Sequence, residues 1–193
     1  MQLEQSFTLA FPLATAWSAF ADVPMLVSCM PGAALQGEPR SVENGADIDL
    51  VFSVKLGPIT GAFQGHGEVR RDAAAHSGTF SGAGADRKSG SRVKGEAKFA
   101  LTATGEGETR VDINVNYSLT GALAQFSRGA IVQELAAALT RDFAANLRAR
   151  IEASQTPGDT TSDAAPAAAQ PLDAGRLVWN AVGARLRGRD KKN

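Results

Sequence analysis

The chain has 193 residues, room for one domain and an appendage, and 44% of them are hydrophobic, as in a packed globular protein. Basic and acidic residues number 20 each, so the formal net charge is zero and the average does not point to nucleic acid. No stretch approaches the ~20 apolar residues of a spanning helix, Met1–Gln5 lacks a signal-peptide pattern, and the single cysteine, Cys29, excludes an intrachain disulfide; together these fit a protein kept in the cytoplasm.

Leu3, Gln5, Phe7 and Leu9 alternate with Glu4, Ser6 and Thr8, the period of a half-buried strand. Phe11-Pro12 stops it, and a short helix follows through Trp17 to about Phe20. Asp22 caps a second short helix with Pro24 in its first turn, which ends at Met30-Pro31-Gly32. A region of about six strands comes next. Ile48, Leu50, Phe52, Val54 and Leu56 share one face, opposite Asp47, Asp49, Ser53 and Lys55. Gly57-Pro58 turns into a strand carrying Phe63, Gly65, Gly67 and Val69 on one face. Ser77–Asp86 is rich in small residues, as in a bent or edge strand. Val93 to Leu101 and Val111 to Leu119 alternate again. Consecutive strands without intervening helices imply antiparallel hairpins.

From Gly121 to about Ser154 the period becomes helical, with Ile131, Leu135, Leu139, Phe143, Leu147 and Ile151 on one face. A helix of that length crosses the concave side of a sheet. Residues 155–171 have almost no large apolar side chain and read as a flexible Ala/Pro/Thr linker. Residues 172–193 carry six basic and two acidic side chains, a local charge of +4. The expected organisation is an α+β domain over 1–154, a linker over 155–171 and a basic amphipathic tail over 172–193.

Five segments in order, Cys29-Met30-Pro31-Gly32, Val54-Lys55-Leu56-Gly57-Pro58-Ile59, Phe63-Gln64-Gly65, Gly84-Ala85-Asp86 with Ser91-Arg92-Val93-Lys94-Gly95, and Ala124-Gln125-Phe126-Ser127-Arg128-Gly129, resemble the CoxG family of carbon monoxide dehydrogenase subunits, within the START-like, or SRPBCC, superfamily. The resemblance covers roughly residues 1–152. It implies a helix-grip fold: a curved antiparallel sheet around a long C-terminal helix, with two short helices after the first strand. It further implies a non-catalytic accessory protein that recruits a molybdenum hydroxylase of the carbon monoxide dehydrogenase type to the cytoplasmic membrane. Such folds usually hold a hydrophobic cavity between sheet and helix. An amphipathic respiratory quinone suits a cavity with one open end. The alternatives are a cyclase- or hydratase-type enzyme on a related fold, or a structural adaptor with a filled core.

Phe52, Phe63, Phe80, Phe99, Phe126, Leu135 and Leu139 either line such a cavity or fill a solid core. Asp86, Arg87, Arg92 and Lys94 form a charged hairpin, read as a solvated turn or as a docking surface for the partner enzyme. In the tail, Leu172, Val178, Trp179, Val182 and Leu186, with Arg176, Arg185 and Arg187, combine apolar anchors and positive charge, which favours reversible contact with an anionic membrane over a disordered end or a protein-docking helix. The expected location is therefore cytoplasmic, peripherally on the inner face of the cell membrane. His66 and His76 lack the further ligands of a metal site and read as surface histidines. No covalently bound cofactor is expected. Cys29 reads as a buried structural thiol. Gly65-His66-Gly67, Gly82-Ala83-Gly84 and Gly105-Glu106-Gly107 lie in or between strands, so sheet curvature explains them better than a phosphate cradle.

Overall fold

The computed structural model describes residues 1–56, 59–126, 130–155 and 172–173. The elements run β1 (Gln2–Leu9), α1 (Leu13–Ala21), α2 (Val23–Cys29), β2 (Ala33–Leu35), β3 (Arg40–Val42), β4 (Gly45–Leu56), β5 (Ile59–Asp72), β6 (Ser77–Asp86), β7 (Ser91–Gly105) and β8 (Glu108–Thr120). A 3-10 turn (Ala122–Phe126), α3 (Ala130–Gln155) and a two-residue strand, β9 (Leu172–Asp173), complete them. The sheet order is β1-β8-β7-β6-β5-β4-β2, with β3 and β9 also on β4. Among the described residues, only the β9–β4 pairing is parallel. This is the expected curved antiparallel sheet with a long helix after it.

Two expectations need correction. The helix predicted from Gly121 is split, because Gly121 adopts φ 83° and the 3-10 turn precedes α3. A Cβ at Gly121 would stand 2.4 Å from the Gly90 carbonyl oxygen, so glycine is what lets this turn lie against the β6–β7 hairpin. Leu123 N–H then donates to the buried Ser91 Oγ at 3.0 Å and pins it there. The region after α2 also holds two short strands, β2 and β3, that the pattern does not reveal. Three residues each are too few for a period to register.

The core is not one continuous mass. One cluster joins β1, α1, α2, β7 and β8 to the C-terminal half of α3 through Phe143, Leu147 and Ile151. A second lies around Val23, Ala46, Ile48 and Val69. A third joins Val54, Phe63 and Leu123. Burial of a large apolar side chain contributes ~1.5–3 kcal/mol, so Phe143, Leu147 and Ile151 fasten the second half of α3 firmly. Asn146 Nδ2 adds a 2.9 Å bond to the Cys29 carbonyl oxygen.

The first half of α3 is held more loosely. Leu135 and Leu139 are half-buried, and Ile131 is 52% exposed. Ile131 therefore departs from the expected sheet-facing position: the helical stripe extends one turn past the sheet's cover. The helix is packed most tightly along its second half, while in its first half Ala138 is buried and Leu135 rests on the third cluster.

Candidate functional site

Strand register builds the site. Alternation puts residues of one parity on the side facing α3. Across five neighbouring strands, Ile48 pairs with Gly67, Gly67 with Gly82, Gly82 with Gly95, and Gly95 with Tyr117. In the next row, Leu50 pairs with Gly65, Gly65 with Gly84, Gly84 with Val93, and Val93 with Leu119. Five glycines thus form a contiguous floor without side chains beneath the helix. Leu50, Val93, Tyr117 and Leu119 border it, and each stays half-buried although it faces inward. Leu50 packs on the second cluster and Val93 and Leu119 on the third, and each keeps some exposed surface beside the glycines. This small-residue face is the candidate groove, and the end where β4 runs into β5 and the 3-10 turn leads into α3 is taken as its mouth.

The glycines do two kinds of work. At Gly65 a Cβ would meet the Ala83 carbonyl oxygen at 2.1 Å, so this residue allows close approach of the backbones. At Gly67 a Cβ would instead meet the Phe80 ring at 2.4 Å, and at Gly82 the His66 carbonyl oxygen at 3.0 Å and the same ring at 3.2 Å, so the ring lies over bare backbone. Sheet curvature alone therefore does not account for these glycines. The signal in the sequence is glycines at i and i+2 in successive strands, which put the gaps on one face.

The seven apolar residues singled out by pattern do not form one set. Phe52, Phe63, Phe126 and Leu135 gather in the third cluster, near the mouth, with Phe63 buried at its centre. Phe80 packs on the second cluster. Phe99 belongs to the first, 5.2 Å from the Phe20 ring centroid. Leu139 is half-buried on α3. Sheet register, not residue type, separates them.

Tyr117 borders the floor with a phenol whose pKa burial raises, so it stays neutral at physiological pH. Cys29 is buried, and burial raises its pKa, which fits an inert thiol. His66 sits on the opposite, convex face with Nδ1 3.1 Å from Asp49 Oδ1, beside the Arg40–Asp49 ion pair. His76 lies in the β5–β6 turn, edge-on to Trp17 at 5.5 Å. No group of three metal-ligating side chains occurs among the described residues.

Asp86 parts company with Arg87, Arg92 and Lys94. It is 5% exposed, and its carboxylate accepts from the Lys88 N–H at 3.0 Å and from Ser89 Oγ at 2.6 Å. Its charge shapes the turn and does not present itself for docking, a correction to its reading as a surface residue. Arg87, Arg92 and Lys94 are exposed. Of the tail set, Leu172 lies in β9, its backbone paired with Val54. Arg176, Val178, Trp179, Val182, Arg185, Leu186 and Arg187 fall outside the described residues, as does nearly all of the 155–171 linker. None of the described helices is long and apolar enough to cross a membrane.

The family model for CoxG, a subunit of carbon monoxide dehydrogenase, matches residues 6–152. The chain belongs to the CoxG family. No curated protein matches the chain. Among solved structures, a Thermus thermophilus protein superposes with TM-score 0.64 at 17% identity, covering 81% of this chain and 100% of its own. A START superfamily protein from Mycobacterium smegmatis gives 0.53 at 16% identity, covering 80% and 99%. The Zhui aromatase/cyclase from Streptomyces sp. R1128 gives 0.53 at 12% identity, covering 81% and 96%. These likenesses establish the START-like fold; at such identities they carry no activity with them.

Proposed function

We propose that this CoxG-family protein is a non-catalytic carrier and adaptor. It holds a respiratory quinone, or a similar lipid-like molecule, between the sheet and α3. It brings a molybdenum hydroxylase of the carbon monoxide dehydrogenase type to the inner face of the cytoplasmic membrane. The observation that carries the reading is the row of glycines bordered by half-buried apolar side chains on the sheet face toward α3. Such a groove accepts a flexible apolar chain along its length. The neutral Tyr117 phenol gives it a polar point, suited to a ligand with one polar head. The family name supports the partner, since CoxG is named as a subunit of carbon monoxide dehydrogenase.

Membrane contact is assigned to the tail. The described part of this region supports this: β9 runs parallel to β4, with Leu172 paired to Val54 and Asp173 to Lys55.

The test is direct. Purify the full chain under native conditions, identify bound lipids by mass spectrometry, and titrate stripped protein with quinones while following thermal unfolding. A ligand at about 100 times its Kd raises stability by ~2.7 kcal/mol. Absence of both bound lipid and any quinone-dependent shift would remove the carrier reading and leave the adaptor with an unused groove.

The aromatase/cyclase neighbour supplies a second reading, an enzyme acting on a polycyclic or polyketide-like substrate in the same groove. Acid–base chemistry there needs a positioned pair with matched pKa values. Tyr117, the ionisable side chain bordering the glycine floor, has its pKa moved up, away from neutrality, which favours the carrier.

A further inference from the structure

The face of the sheet turned away from α3 divides by charge. Over one half, each cation sits beside a carboxylate: Arg40 with Asp49, Arg70 with Glu68, Lys98 with Glu96 and Arg110 with Asp112. Over the other half, Arg87, Lys88, Arg92 and Lys94 are all exposed, and none has an ion-pair partner among the described residues. Asp86, beside Arg87, is buried and taken up by its own turn, and Glu96, two residues from Lys94, is paired with Lys98. Four like charges gathered without counter-charges repel one another, a cost that a bound anion removes.

A shallow, open depression lies beside two of these cations. Ala83, Gly84 and Ala85 form the floor of a depression of about 500 Å³, with Arg92 and Lys94 on its wall. Gln64, Ser118 and Thr120 add an amide and two hydroxyls, and no carboxylate lines it. Cross-strand register sets the layout: Gln64, Ala85, Arg92 and Thr120 form one row, and Ala83, Lys94 and Ser118 the next. Arg92 and Lys94 are two residues apart on one strand face, so their Cα atoms stand roughly 7 Å apart. An extended peptide with acidic side chains at alternate positions has the same spacing.

We propose that this depression docks an extended, acidic segment of a protein partner, its alternate carboxylates meeting Arg92 and Lys94 while Gln64, Ser118 and Thr120 bond to it. This deepens the adaptor reading above, on which it rests, by naming the chemistry of the partner's contact. A bilayer is the less suitable anion. The donors follow the spacing of a strand, which a layer of headgroups does not share, and the face looks away from α3. Arg92 can take a carboxylate in bidentate fashion, which adds geometric selection to charge.

The experiment uses the full chain, stripped of lipid, and a fluorescent peptide of alternating Glu and Thr, read by anisotropy. The peptide should bind, and binding should weaken as salt rises. Arg92→Glu with Lys94→Glu should lower affinity by about tenfold or more. Lys98→Glu, on the paired half of the same face, should leave it unchanged. Unfolding temperatures of both variants should match the parent, since all three side chains are at the surface. Equal peptide binding by the Arg92/Lys94 variant would overturn the proposal. So would a reversal that abolishes only sedimentation with phosphatidylglycerol vesicles, or only self-association, while the parent ignores the peptide. Quinone binding is scored separately, so loss of the carrier reading and loss of this docking surface are distinguishable.

Discussion

The glycine floor makes a prediction in which two neighbouring residues of one type behave oppositely. At Gly65 a Cβ would lie 2.1 Å from the Ala83 carbonyl oxygen and 2.6 Å from the Gly84 Cα, both backbone atoms of the adjacent strand. Relieving those contacts means moving β6 away from β5 by about 1 Å, which weakens two or three ladder hydrogen bonds at ~0.5–1.5 kcal/mol each. Gly65→Ala should therefore cost about 3 kcal/mol. At Gly95 the nearest atoms to a Cβ are the Asn116 oxygen at 3.2 Å and the Tyr117 Cβ at 3.3 Å, so a shift of a few tenths of an ångström suffices. Replacing a strand glycine also recovers ~0.5–1 kcal/mol of backbone entropy. Gly95→Val should thus change stability by no more than about 1 kcal/mol, while its three side-chain carbons rise into the groove. Those carbons displace ligand of similar size, at ~0.8 kcal/mol per methylene, so quinone affinity should fall by roughly tenfold or more. Thermal unfolding and quinone titration are run on both variants. With ~2–4 °C per kcal/mol for a domain of this size, Gly65→Ala should melt about 6–12 °C lower and Gly95→Val close to the parent. A Gly95→Val protein that binds quinone as tightly as the parent would refute the groove as the ligand site. A Gly65→Ala protein of unchanged stability would refute the register on which the floor is built.

Two further outcomes follow from the turn and the tail. Hydrogen bonds, from Ser89 first and then from the backbone N–H groups of Lys88, Ser89 and Ala62, hold the Asp86 pKa below its ordinary value against the opposing effect of burial. Its contribution to stability is thus present above the unfolded carboxylate pKa of ~3.9 and is lost as pH falls through the lower folded value. Asp86→Asn should melt below the parent at neutral pH and converge with it at acidic pH; parallel curves would show that the carboxylate charge does not hold the turn. Full-length protein should co-sediment with phosphatidylglycerol vesicles, release in high salt and bind less with Trp179→Ala, whereas a chain ending at Ser154 should stay in solution. Equal sedimentation by the shortened chain would exclude the tail as the anchor.

The sequence by itself determined the element types and most of the element order. A period of two in β1, β4, β7 and β8 and a period near four in α3 follow from local backbone geometry, and side-chain polarity records which face meets the core. It also assigned Phe143, Leu147 and Ile151 correctly to the buried face of the helix. Which residues meet across strands is a different kind of information. Gly67, Gly82 and Gly95 are far apart in the chain, and hairpin register alone brings them into one row. The same register divides the phenylalanines, sending Phe63 to one cluster and Phe99 to another. It also sets Arg92 and Lys94 beside a shallow depression on the half of the outer face away from the ion pairs. Asp86 and Arg87 are adjacent and equally charged in magnitude, yet one is buried and the other exposed. Polarity gives no sign of that difference, because it arises where a turn closes on its own carboxylate. Local pattern fixes what each segment becomes, whereas a groove or a docking surface is a relation between segments and exists only after they pair.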